Sequence, residues 1–182
     1  MTHLIYQKIL GITNLKTIII SLLLFVIALV LANVTFSTGV QNLTQTFNYT
    51  PEKAYEMLQG YGDKGRSNHL KILIVDIILV TLYTILFSTS IAYTTMRLFP
   101  ANTNLQYLSL VPLVLGCLQL LEIAGVFILL ACYPRELYTL ARITSGITVV
   151  KFILTYICIL LPVIGFLGLL GRNIAGILRA NT

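Results

Sequence analysis

Long continuous runs of apolar residues dominate the pattern of the chain, with little alternation of apolar and polar positions. Four such runs cover about residues 17–36, 71–95, 106–132 and 146–170. At about 1.5 Å per helical residue, each run is long enough to cross a hydrocarbon layer of roughly 30 Å. A membrane β-strand would alternate and would need only about 10 residues. The pattern therefore predicts an all-α, multi-pass membrane protein, with residues 1–182 forming a single four-transmembrane-helix bundle.

The polar interval between the first two runs contains the pattern of one further helix. Thr50 precedes Pro51, an order typical of a helix start, because the hydroxyl can cap free amides and Pro is tolerated in the first turn. Apolar residues then recur on one side of "PEKAYEMLQ", residues 51–59, until Gly60 ends the pattern. We expect a short amphipathic helix on the headgroups or over the mouth of the bundle.

Composition narrows the class of protein further. The 182 residues are 57% hydrophobic and 10% charged, with a mean hydropathy of +0.91, which excludes an ordinary water-soluble domain. The net charge is +6, but no basic run is interleaved with aromatic residues. We therefore expect contact with anionic membrane lipids and no nucleic-acid binding. The cysteines lack CxxC spacing and are interpreted as small apolar residues, and neither a metal site nor a cofactor is predicted.

Four spans place both termini on one side of the membrane, here called the terminal end. Lys and Arg are almost evenly divided between the two sides, so the positive-inside rule does not decide the orientation by number alone. Lys8 and Lys16 flank the first span, and all the loop acids lie on the opposite, long-loop side. We therefore expect the termini to lie in the cytoplasm.

Residues 60–67 read "GYGDKGRS", which matches GxGxxG and nearly matches a P-loop, with Arg66 where a Lys is required. Both motifs must follow a strand and open a helix within a parallel sheet, for which this interval has no room. Lys64 and Arg66 precede the second span, whose first amides could attract an anion. They are candidate rim residues for an anion such as a lipid phosphate, and the alternative is a solvated turn.

Three ionisable residues lie well inside the spans: Asp76, Glu122 and Lys151, one on each of the last three helices. An unpaired charge there would cost several kcal/mol. All three fall in the half of the bilayer nearer the long loop, where the lysine stem could reach either carboxylate. Each charge shares a helix face with other polar residues, which we expect to converge on one interior site. These residues are His69 and Tyr83 beside Asp76, Gln119 beside Glu122, and Thr148 and Thr155 beside Lys151.

Three functions are compatible with this pattern. Two carboxylates facing one ammonium suggest a proton or a bound cation, so the leading hypothesis is a protein that binds a polar or cationic ligand or a proton. Its pocket would open to the long-loop side, and transport would require a homo-oligomer, because one four-helix chain encloses little volume. The alternatives are an accessory subunit for a partner membrane protein, with purely structural charges, and a lipid-modifying enzyme. The last is less favoured because no catalytic motif is present.

Overall fold

A computed structural model describes residues 2–36, 43–101 and 103–180. Residues 1, 37–42, 102 and 181–182 of the predicted domain lie outside the described ranges. Every regular element within those ranges is helical. The α-helices are α1 Thr2–Ile12, α2 Leu15–Phe36, α3 Pro51–Gly60, α4 Gly62–Leu98, α5 Thr103–Gln106, α6 Val111–Cys132 and α7 Tyr138–Ala180, with 3₁₀ turns at Leu43–Gln45 and Tyr107–Leu110.

Four helical segments are long and apolar enough to cross a membrane. They are Leu15–Val34, Gly62–Leu98, Asn104–Cys132 and Tyr138–Arg179. The prediction of an all-α four-helix bundle is therefore confirmed. α4 is central and packs against α2, α6 and α7, while α6 also packs along α7. α2 makes at most marginal contact with α7, which leaves a gap between these two helices.

Small residues bring the helices into close contact at three points. At each point, a Cβ added to a glycine would lie less than 3.0 Å from a threonine hydroxyl oxygen. The pairs are Gly116 with Thr84, Gly125 with Thr144, and Gly165 with Thr94. Helices in lipid gain stability mainly from such close packing, because apolar burial drives little association there.

The polypeptide from residue 43 to residue 61 forms a cap over the long-loop end of the bundle. Thr50 caps α3 by accepting a hydrogen bond from the Lys53 amide at 3.3 Å. Ala54 and Leu58 are fully buried on the inner face of α3. The predicted helix over 51–59 is confirmed, and it lies over the bundle mouth.

The helices extend further than the apolar runs. α4 begins at Gly62 instead of 71, α7 covers Tyr138–Ala180 instead of 146–170, and the sequence pattern did not indicate α1. Backbone hydrogen bonding continues the helices into polar sequence, where no apolar signal marks them. The "GYGDKGRS" segment is accordingly not a loop. The helical path is interrupted only at Tyr61 and Gly62, where Gly62 has a φ of +59°, and Gly65 is already helical.

Candidate functional site

A buried ion pair joins α6 and α7 inside the bundle. Lys151 Nζ donates hydrogen bonds to both carboxylate oxygens of Glu122, at 2.7 and 3.0 Å, and to the Thr44 carbonyl at 2.8 Å. Glu122 also accepts a hydrogen bond from Thr148 Oγ1 at 2.5 Å. The exposed fractions of Glu122 and Lys151 are 0% and 6%. All three ammonium protons thus have acceptors, which a buried lysine requires.

Close helix packing explains why these two side chains meet. On α6, Gly125 lies three residues after Glu122 and packs directly against Thr144. On α7, Thr144 lies seven residues before Lys151. These spacings keep each pair of residues on one helix face, so the glycine contact brings the two charged positions together. Thr155 lies on the other side of the pair and donates to the Lys151 carbonyl at 2.8 Å, within its own helix.

The cap is fastened directly over the ion pair. The Thr44 carbonyl accepts from Lys151, and the Tyr49 amide donates to Ser145 Oγ at 3.1 Å. Within the cap, the Leu43 amide donates to the Tyr61 hydroxyl at 3.1 Å. Burial raises the pKa of Tyr61 to about 12, so this hydroxyl stays neutral. The described part of the cap therefore covers the long-loop side of the ion pair, where the sequence pattern predicts the opening of a pocket.

Asp76 is near the ion pair without being part of it. Its carboxylate is half-buried on α4 and interacts electrostatically with Lys151 and Glu122. Among the described residues it accepts no hydrogen bond and lies within no ion pair. His69 lies farther away, buried and stacked on Tyr61 with 5.3 Å between ring centroids. Of the polar residues on α4, Asp76 and Tyr83 thus lie near the ion pair, whereas His69 packs against Tyr61.

A cleft of about 500 Å³ adjoins the ion pair and lies between α2, α4, α6 and α7. Its apolar lining is Phe25, Leu29, Phe87, Leu115, Phe152 and Ile159. Its polar lining is Thr44, Gln45, Tyr83, Gln119, Lys151 and Thr155. We infer that the cleft opens sideways between α2 and α7, because both helices line it and make at most marginal contact with each other in the described ranges.

Two polar side chains in the cleft have no partner within the described part of the chain. The Tyr83 hydroxyl is buried and makes no hydrogen bond. The half-buried Gln119 amide likewise has no protein partner in the described ranges. Helix periodicity indicated Tyr83 and Gln119 as site residues. It could not indicate Phe25 and Leu29 as part of the cleft, because nearly all side chains of α2 are apolar.

The two candidate rim residues behave differently. Arg66 donates to the Leu58 carbonyl at 3.1 Å, pairs with Asp63, and places its guanidinium 4.3 Å from the centre of the Tyr133 ring. It therefore ties the cap to α4. Lys64 is exposed, and anion binding by either residue stays a prediction.

Within the described ranges, no three His, Cys, Asp or Glu side chains are grouped as metal ligands would be. The fold and site together define a helical bundle with membrane-spanning dimensions. Its interior holds an ion pair in which every ammonium proton has an acceptor, and a cleft adjoins that pair. Comparison with protein-family models, curated proteins and solved structures found no match. Function is therefore inferred from the geometry of this chain.

Proposed function

We propose that this chain is a membrane protein that binds an amphiphilic molecule in the side cleft. The apolar part of the ligand lies between α2 and α7, and its polar head meets Tyr83 and Gln119. The observation that carries the proposal is the buried Tyr83 hydroxyl with no hydrogen-bond partner in the described chain. Buried polar groups are rarely left unsatisfied, so a bound polar atom is the simplest partner for it.

The neighbouring charges favour an uncharged head. Lys151 uses all three of its protons on Glu122 and Thr44. An ionic head would have to break that pair and leave one charge unpaired in the bundle. A carbonyl or hydroxyl group needs only the donors and acceptors of Tyr83 and Gln119. The cleft volume, about 500 Å³, lies within the usual range for small-molecule sites.

The absence of tryptophan from the sequence allows a direct test. A single reporter, Phe152→Trp, lies in the cleft, and the matched Phe127→Trp lies on the exposed surface of α6. Brominated diacylglycerol at low mole fraction in phosphatidylcholine vesicles should quench the first reporter more strongly. Tyr83→Phe should remove the difference while leaving the helical circular dichroism unchanged. Equal quenching at both positions would contradict the proposal.

Asp76 supports a second candidate function, uptake of a cation or proton by a homo-oligomer. Its half-buried carboxylate has no ion-pair partner among the described residues and lies near the Glu122–Lys151 pair. In reconstituted vesicles, Asp76→Asn should abolish cation or proton flux without unfolding the protein. The accessory-subunit alternative predicts no flux and no ligand, and predicts loss of assembly when the ion pair is broken.

A further inference from the structure

A second cavity, of about 310 Å³, lies between α4 and α7 near the terminal end of the bundle. Its walls are almost entirely apolar, and the 3₁₀ turn that precedes α6 closes one side. Gly168 leaves space on the α7 wall, and Leu98 faces it from α4. The cavity is separate from the side cleft and shares no lining residue with it.

Two guanidinium groups lie one helical turn beyond this cavity. Arg172 follows Gly168 by four residues, and Arg97 follows the cavity residue Thr94 by three, so each shares a face with the lining. Arg172 donates to the Arg97 carbonyl at 2.8 Å, which brings the two positions together. Both side chains are exposed.

No Asp or Glu side chain in the described ranges balances these two cations. All six acidic residues lie in the described ranges, and none is at the terminal end. Four belong to the cap, the start of α4 or the connection before α7, while Asp76 and Glu122 lie inside the helices. An anion that pairs with the two guanidinium groups would therefore come from outside these side chains. The apolar cavity below them fits an apolar group, so one ligand that carries both would match the site.

We propose that this cavity holds one acyl chain of an anionic phospholipid whose phosphate binds Arg97 and Arg172. Arg97 is positioned for this role by its stacking on Tyr93, at 4.4 Å from the ring centre. Charge-assisted hydrogen bonds from guanidinium to phosphate hold the head group. The net charge of the lipid supplies the selectivity, because the choline cation of a zwitterionic lipid is repelled by two guanidinium groups. The cavity supplies selectivity for a lipid over a soluble phosphate.

Native mass spectrometry of the full chain in detergent tests the proposal with matched lipids. Phosphatidylglycerol should bind about tenfold more tightly than phosphatidylcholine with the same acyl chains, because it lacks the choline cation that the two guanidinium groups repel at the membrane surface. Arg172→Gln should remove most of this preference. Arg179→Gln, which removes the same charge farther along α7, should leave it.

A second pair of variants tests the cavity. Gly168→Leu should fill the cavity and weaken binding of phosphatidylglycerol, since an added Cβ would meet only the flexible end of Leu98, at 3.1 Å. Gly176→Leu is the control, because nothing lies within 4 Å of a Cβ added there. Glycerol phosphate binding as tightly as phosphatidylglycerol would overturn the role of the cavity. Equal losses in Arg172→Gln and Arg179→Gln would overturn the specific phosphate site.

Discussion

The ammonium group of Lys151 is tolerated inside an apolar helix because every one of its protons has an acceptor. Two of the acceptors are the Glu122 oxygens, and the third is a backbone carbonyl of the cap, at Thr44. Such a pair contributes little net stability compared with apolar residues of the same shape, because both charges lose their hydration. Breaking it is costly, since one charge is then left unpaired.

We therefore expect Lys151→Met to destabilise the fold by about 3–5 kcal/mol, because it leaves Glu122 buried without a counterion. The double variant Lys151→Met with Glu122→Leu should be more stable than the single variant. Equilibrium unfolding in mixed detergent and dodecyl sulfate micelles, followed by circular dichroism, measures both. Lys64→Met is the control, because Lys64 is exposed and should change stability by less than about 0.5 kcal/mol. A double variant as unstable as the single one would contradict this account.

The sequence allowed part of this site to be predicted. Depth along the helices placed Lys151 within reach of two carboxylates, but it could not say which one, because helix rotation depends on packing at contacts such as Gly125 with Thr144. The hydrogen bond from Lys151 to the Thr44 carbonyl could not be predicted either, because every residue has a main-chain carbonyl and the sequence does not single one out. The binding role of these residues stays a prediction.

At the scale of elements, the apolar runs identified each helix of membrane-spanning length in the described part of the chain, but not its full length. Hydrophobicity marks only the part of α4 or α7 suited to lipid, while the helical backbone extends beyond it at both ends. Capping chemistry was more informative for α3, where Thr50 and Pro51 fixed the start correctly. Glycine-to-threonine contacts could not be predicted, because each needs two helices to be placed first.

One such contact gives a prediction about helix packing. Gly125→Ala should destabilise the bundle by about 1–3 kcal/mol, as overpacking does, because the added methyl group collides with Thr144. Gly146→Ala is the matched control, since no atom lies within 4 Å of its added Cβ and the helix gains propensity. The double variant Gly125→Ala with Thr144→Ala should regain much of the loss in the same unfolding assay. Equal stability of the two single variants would show that this contact is not tight.

The cap gives a prediction of its own. The Tyr55 hydroxyl accepts a hydrogen bond from the Leu137 amide, so Tyr55→Phe leaves a half-buried donor unpaired at a cost of about 1–3 kcal/mol. Hydrogen exchange should accelerate across residues 43–61 and stay unchanged in α6. Tyr138→Phe serves as the control, because that hydroxyl bonds only the exposed Glu136 at 2.5 Å. Exchange that accelerates equally in α6 would mean that the cap and the bundle open as one unit.

At the scale of the whole molecule, charge is distributed unevenly between the two ends. The cap end carries acidic and basic residues together, whereas the terminal end carries only basic residues within the described ranges. A basic terminal end matches the anionic cytoplasmic leaflet, and Lys8 and Lys16 flank the first helix to enter the membrane. Termini in the cytoplasm therefore stay a prediction.

Accessibility of single cysteines in intact cells tests that orientation. In a background where Cys117, Cys132 and Cys158 are replaced by alanine, Ser67→Cys lies at the cap end and Asn173→Cys at the terminal end, both exposed. A membrane-impermeant maleimide should label Ser67→Cys in intact cells and Asn173→Cys only after permeabilisation, because the two positions lie at opposite ends of the bundle. The reverse result would invert the orientation while keeping the four spans. Labelling of both positions from outside would contradict a bundle in which α4 and α7 each cross the membrane once.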